Sequence, residues 1–417
     1  MRNRLPYFSG LAAIGLFWGL GWAMTPASKS ETEPERKLPA AAFSRKTVAA
    51  DTGRSSPETA GEDHGTVRNH QLGPIRWDEE RGKYVATLHG RERNLTLVHA
   101  VQEKAVKDLE KGRPFYGATV VMDARDGRIL ALAEYSQREP ETSGVALRPD
   151  APAASIFKLV SAAALLEANV QPEQSVCVSG GKRRLSPKNL LDRRRDRCVA
   201  FRDIVPLSLN AAMAKLSDRR LPAGRLEQMA DNLGFGRPLP IEIPMEPSVA
   251  LIPADDFGRA NTAAGFGDVR MSALHAAIVT GLIANRGQWV PPRLFEAGDI
   301  PLSVADTPAP SLSPSVAGPL ARMMTDTTSR GTARRLFSRI SRSSPLRNMA
   351  VGAKTGSLLF YDQHVDHSWM VAFAPASDPE FVVASVVVND WQLWYTKAGP
   401  LAIGALEAAF TKGSAAH

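Results

Sequence analysis

Cysteine is nearly absent from this chain: its 417 residues hold two, Cys177 and Cys198, with 20 residues between them. No histidine nearby completes a ligand set, which argues against a metal site at that pair. Aromatic residues make up only 7% of the chain and do not interleave with the basic ones, so no base-stacking surface is built and no nucleic-acid partner is expected. Internal repeats are missing as well, which excludes a solenoid. Long uncharged runs are lacking with one exception, the 18 residues from Tyr7 to Met24 behind Arg2 and Arg4. At 1.5 Å per residue the run spans about 27 Å, enough for a bilayer core. The flanking arginines should stay cytoplasmic, which puts everything after Met24 outside. A cleaved signal peptide is the competing reading. Thr25-Pro26-Ala27-Ser28 makes a poor cleavage site and the run is long for a signal core, so a retained single-pass anchor is favoured.

What is present is a chain able to bury a sizeable core, with 44% hydrophobic residues. A net charge of +8 favours anionic neighbours such as cell-wall polymers or acidic lipid, although simple solubility accounts for it equally. Residues 25 to 72 are polar, rich in Ser, Thr, Pro, Glu, Lys and Arg, and lack an apolar period, as in a disordered tether. The expected organisation is therefore an anchor with its cytoplasmic tip over 1–28, a linker over 29–72 and one folded domain over 73–417. In an exported domain the two cysteines are expected to pair, and closing that loop is worth about 3 kcal/mol.

Hydrophobic periodicity places a helix on Val98, Val101, Ala105 and Leu109 that stops at Gly112. Tyr116 to Met122 and Arg128 to Tyr135 read as paired strands, and Ser155 to Ala168, apolar nearly all round, as a buried helix. Helices follow at Asn210 to Leu216, Arg225 to Asn232 and Ser272 to Ala284. Strands return at Val351 to Phe360, Ser368 to Phe373 and Phe381 to Asn389, before a closing helix from Ala398 to Phe410. Strands near both ends with helices between predict an α+β fold, one antiparallel sheet assembled from both termini and flanked by helices.

Three short patterns carry chemistry. Ser155-Ile156-Phe157-Lys158 opens the buried helix, and an i, i+3 spacing lets the amine reach the hydroxyl. Burial lowers a lysine pKa, and a neutral amine can take a serine proton. The helix start would also offer backbone N–H groups to an oxyanion. An N-capping serine with a snorkelling lysine explains the same residues without chemistry. Ser208-Leu209-Asn210 precedes another helix: Ser208 could relay a proton and Asn210 hold a substrate amide, yet both are ordinary cap residues. Lys354-Thr355-Gly356-Ser357 lies in a strand, where an extended peptide could pair with the edge. Lys354 and Thr355 could then bind its terminal carboxylate and the Ser357 N–H serve as an oxyanion donor. A bulge glycine between surface residues is the bland alternative.

Together and in this order, the three patterns resemble the transpeptidase domain of penicillin-binding proteins. The likeness extends over residues 95 to 410. Ala118 to Asp123 with Gly127 to Ala133 is similar to that family's opening hairpin. Ala264-Gly265-Phe266-Gly267-Asp268 and Ile283 to Gly287 are similar to its later helical part, and Ser329-Arg330-Gly331-Thr332-Ala333 to the stretch before its lysine-threonine-glycine strand. The resemblance implies a serine acyl-enzyme without metal or cofactor. Ser155 attacks the penultimate D-Ala carbonyl of a stem peptide, D-Ala leaves, and an amine of a neighbouring stem peptide resolves the intermediate. It also implies peptidoglycan stem peptides and β-lactam antibiotics as ligands, a glycosyltransferase in the membrane as partner, and a catalytic domain on the outer face of a bacterial cytoplasmic membrane.

Some features depart from the pattern. Ala153-Ala154 stand where the family often has Pro-Gly, and there is no room for a glycosyltransferase module or a large N-terminal pedestal, which suggests a specialised or accessory role. A D,D-carboxypeptidase stays open, since the acceptor is not written in the residues. A β-lactamase is disfavoured by the lack of a Glu-x-x-Leu-Asn segment, and a non-catalytic scaffold by the retention of Ser155, Lys158 and Lys354. His364 and His367 around Asp366 are read against a metal role, and Lys182, Arg183, Arg184 and the run Arg193 to Arg197 as a solvated face sooner than a glycan or lipid contact.

Overall fold

Two-residue alternation explains the centre of the fold. In the strand Tyr116–Asp123, Val120 and Met122 enter one apolar cluster and Val121 the other. The strand Phe381–Asp390 does the same, with Val382, Ala384 and Val386 on one side and Val383 and Val387 on the other. A sheet built of such strands is covered on both faces. The computed structural model describes residues 72–137, 144–297, 306–360, 364–390 and 397–412.

The sheet has five antiparallel strands in the order Gly352–Phe360, Val365–Ala374, Phe381–Asp390, Tyr116–Asp123, Ile129–Ser136. The late strand Phe381–Asp390 joins the early hairpin, pairing Val382 with Met122 and Val388 with Tyr116. Both ends of the described chain thus meet in one sheet, in the mixed, antiparallel arrangement expected from the sequence. Gly352–Phe360 forms an edge. Helices His99–Gly112 and Ala398–Lys412 cover one face through Val101, Leu109, Leu401 and Leu406. On the other face lie Lys158–Glu167, Ala273–Ala284 and Pro314–Ser329 with Leu159, Ile278 and Leu320.

Several details differ from the sequence reading. The first helix runs through Gly112, and Arg113 takes the left-handed cap at φ 44°. Ser155 to Ala168 is not one α-helix: Ala154–Phe157 forms a 3-10 turn and the α-helix begins at Lys158. A small sheet of Arg76–Asp78, Lys83–Leu88 and Arg91–Asn94 went unread. Its middle strand buries Tyr84, Val85 and Ala86 in succession, so no alternation marks it. Helix Pro314–Ser329 was hidden by Pro319, which breaks the expected pattern yet sits inside the helix. Cys177 and Cys198 form a disulfide between the paired strands Ser175–Val178 and Arg197–Ala200.

The run Tyr7 to Met24 and nearly all of the tether lie outside the described residues. Among the described residues no helix is long and apolar enough to cross a membrane.

Candidate active site

The site begins where the edge strand meets the turn that carries Ser155. Gly356 faces that turn closely: a Cβ there would lie 3.0 Å from the Trp369 Cβ and 3.3 Å from the Ile156 Cγ1. Trp369, on the neighbouring strand, donates its indole N–H to the Pro152 carbonyl at 2.9 Å and so holds the entry to the turn. Phe157 is buried edge-on against Phe235, with ring centroids 5.7 Å apart. Gly265 supports the turn from behind. A Cβ there would sit 2.3 Å from the Ala154 carbonyl oxygen, so only glycine, at φ +90°, permits this approach.

Directed inward from the turn, Lys158 is fully buried. Its Nζ lies 2.7 Å from the Ser155 Oγ, 2.7 Å from the Asn210 Oδ1 and 2.6 Å from the Ala264 carbonyl oxygen. None of these neighbours is a carboxylate. Burial first, and the nearby Lys354 second, hold the Lys158 amine well below the usual lysine range. Lys354 is itself fully buried, and burial pushes it down to about 7. It donates to the Ser208 Oγ at 3.1 Å and to the Thr355 carbonyl at 2.6 Å. Ser208 ends the helix Phe201–Leu207 in a left-handed conformation at φ 53°, which turns the chain so that the next helix, Asn210–Arg220, starts two residues later.

An open cleft of about 830 Å³ lies over these groups. Ser155, Ser208, Asn210, Thr355, Gly356 and Ser357 line it, and the two lysines lie beneath. The eight residues singled out in the sequence thus converge, from segments up to about 200 positions apart. With a hydroxyl beside an uncompensated amine, a second hydroxyl beside a second amine and an exposed strand edge, the cleft is equipped for acyl transfer on an extended, anionic peptide.

A family model for the penicillin-binding protein transpeptidase domain matches residues 117–402. The chain belongs to that family. Among curated relatives, the peptidoglycan D,D-transpeptidase PbpA of Mycolicibacterium smegmatis is 26% identical over 357 residues, covering 74% of this chain and 69% of the relative. PbpA of Mycobacterium tuberculosis is 24% identical over 351 residues, with the same coverage. In solved structures the fold is similar to that of penicillin-binding protein A from M. tuberculosis, with TM-score 0.59, 23% identity and coverage of 77% of this chain and 81% of that one. PBP2 of Pseudomonas aeruginosa gives TM-score 0.59 at 20% identity, covering 76% and 77%.

This member of the transpeptidase family adds groups that sequence reasoning missed. Thr332 meets Thr355, hydroxyl to hydroxyl, at 2.7 Å. The Ala264 carbonyl caps the Lys158 amine. The Asn210 Nδ2 donates to the Lys182 carbonyl at 2.7 Å, which ties the disulfide loop to the cleft. Thr332 and Ala264 lie in stretches that the family resemblance had marked without giving either a role. Lys182 carried no signal, because its backbone makes the contact. Of the remaining candidates, Asp366 pairs with Lys397, and burial pushes His367 down to about 4.

Proposed function

We propose that this chain is a D,D-transpeptidase that acylates Ser155 with D-Ala-D-Ala stem peptides and is acylated there by β-lactams. The observation that carries this reading is the fully buried Lys158 amine 2.7 Å from the Ser155 hydroxyl, with no carboxylate to keep it charged. A neutral amine has two N–H groups and one lone pair. The Asn210 Oδ1 and the Ala264 carbonyl accept the former, which leaves the lone pair to the Ser155 O–H.

In the proposed cycle the donor peptide lies along the edge strand, its terminal carboxylate against Lys354 and Thr355 and its amide near Asn210. Ser155 Oγ attacks the penultimate D-Ala carbonyl while Lys158 takes the proton. Backbone N–H groups of Ser155 and Ser357 stabilise the oxyanion. The C–N bond then breaks, and Ser208, held by Lys354, delivers a proton to the departing D-Ala amine. The amine of a second stem peptide enters the vacated space, gives a proton to Ser208 and forms the cross-link, while Lys158 returns its proton to the departing Ser155 oxygen. A carboxylate bound beside Lys354 favours its charged form and compensates the burial that otherwise lowers it.

The run Tyr7 to Met24 supports a single-pass anchor that would hold this chemistry on the outer face of the cytoplasmic membrane, where a strand-making glycosyltransferase is the natural partner. Acylation is tested by incubating the protein with a fluorescent penicillin beside Ser155→Ala. A covalent label on the parent alone is expected. An unlabelled parent, or a variant labelled equally, removes the proposal.

A further inference from the structure

The positive charge of this protein is concentrated in two short segments that share the cleft. Between Cys177 and Cys198 the sequence holds eight lysines and arginines against two aspartates, and residues 334–347 hold five arginines and no acid. Their surplus exceeds the +8 of the whole chain, so the remainder is acidic on balance. All thirteen basic residues are exposed. Among the described residues none of their side chains pairs with a carboxylate.

The loop's own acids are engaged by residues outside it. Lys215, fully buried, donates to the Cys177 and Leu191 carbonyls at 2.7 and 2.8 Å and binds Asp196 at 3.0 Å. It also meets Asp192 at 3.1 Å, which Arg219 shares at 2.7 Å. Both aspartates thus pair with the helix Asn210–Arg220; Asp196 is shielded while Asp192 stays exposed, and what the loop offers to solvent is cationic on balance. Lys182 of this loop and Leu336 of the second segment each line the cleft. Each segment thus places one residue at the cleft.

We infer that these two segments form a docking surface for the carboxylates of peptidoglycan stem peptides, gathering the anionic polymer at the mouth of the cleft. The identity of the anion rests on the transpeptidase reading; the surface itself does not. Exposed arginines suit planar carboxylates. The two segments border a concavity and do not form one face of an amphipathic helix, which favours a polymer entering the cleft over a membrane lying flat.

The test uses the full chain in detergent and measures co-sedimentation with purified peptidoglycan sacculi, with fluorescent penicillin labelling in parallel. Binding is expected to fall at least about tenfold between low salt and about 0.5 M NaCl. Arg183→Glu with Arg184→Glu, and separately Arg334→Glu with Arg335→Glu, are each expected to weaken it about tenfold at low salt, while Arg91→Glu with Lys111→Glu changes it less than about twofold. Sacculi whose carboxylates are capped with glycinamide should bind like the charge-reversed variants. The labelling rate is expected to stay within about threefold of the parent throughout, since the small probe needs no polymer contact. Equal loss in the control pair, unaltered binding in both cleft pairs, or full binding to capped sacculi overturns the proposal. So does preferential binding to vesicles of phosphatidylglycerol and phosphatidylcholine, which would assign the surface to the membrane. Loss of penicillin labelling with intact sacculus binding would instead strike the catalytic reading alone.

Discussion

Among the described residues three lysines are fully buried, and they fall in two regions that treat the amine in opposite ways. Under the cleft, Lys158 and Lys354 meet hydroxyl, amide and carbonyl oxygens but no carboxylate. Behind the disulfide loop, Lys215 meets two carboxylates as well as two carbonyls. A buried ammonium without a counter-charge is costly, and the protein relieves that cost by lowering the pKa. A buried ammonium with counter-charges can remain an ion pair, and the pair then fixes geometry. On this comparison one region holds lysines tuned for proton transfer and anion binding, and the other a lysine that fastens a loop.

The sharpest way to break the comparison is to exchange each amine for methionine. Lys158→Met is expected to lower penicillin acylation by at least about a thousandfold, since it removes the proposed base of an otherwise weak nucleophile. Its melting temperature should hold, because removing a buried amine that has no counter-charge offsets the partner lost by the Asn210 and Ala264 oxygens. Lys215→Met should do the reverse. It strands Asp196, whose side chain is only 6% exposed, and is expected to destabilise the fold by about 3 kcal/mol. Acylation measured below the new melting temperature should fall far less than in Lys158→Met. If stability drops equally in both variants, the division between the two regions collapses.

The pH dependence sharpens the same point. Acylation should rise from acid pH as Lys158 loses its proton, and this limb lies well below the usual lysine range because the Lys158 pKa is lowered. It should fall again as the free protein passes about pH 7, where Lys354 loses the charge that receives a carboxylate. A bell is therefore expected, and Lys354→Arg should push its alkaline limb upward. Stability responds with the opposite sign. Between about pH 7 and the ordinary lysine value of 10.5 the unfolded chain holds the Lys354 proton and the folded chain does not, so this residue adds stability as pH rises through that window. Denaturant unfolding across the window, with Lys354→Met as reference, checks the direction.

The two regions were also unequally legible in the sequence. Ser155 and Lys158 are three apart on one turn, and Lys354 to Ser357 are contiguous, so local spacing brought each group out. The central sheet was legible because its strands alternate and its late members are long. The loop fastening was not: Lys215 is one lysine in an alanine-rich helix, and its partners Asp192 and Asp196 lie among the arginines of a distant basic run. Only the fold brings Cys177, Leu191 and Asp196 round that amine. The 3-10 turn at Ser155 was likewise invisible, since it depends on Gly265 and Trp369 from distant segments.

The smallest expected effect lies at the border between local and tertiary information. Thr332 reaches Thr355 from a segment 23 residues earlier, through a single hydroxyl contact of 2.7 Å. Both side chains reach the cleft, and neither is buried deeply enough for their bond to matter to the fold. Thr332→Val keeps the shape and removes the partner. A neutral hydrogen bond of this kind is worth about 1 kcal/mol, so acylation should fall about fivefold with an unchanged melting temperature. The loss should appear in the affinity for a carboxylate-bearing substrate before it appears in the rate at saturation, because Thr355 would be left free to rotate away from the anion. A larger loss, seen mainly at saturation, would move Thr332 into the proton-transfer network with Ser208 and Lys354 and redraw the boundary between the groups that bind and those that react.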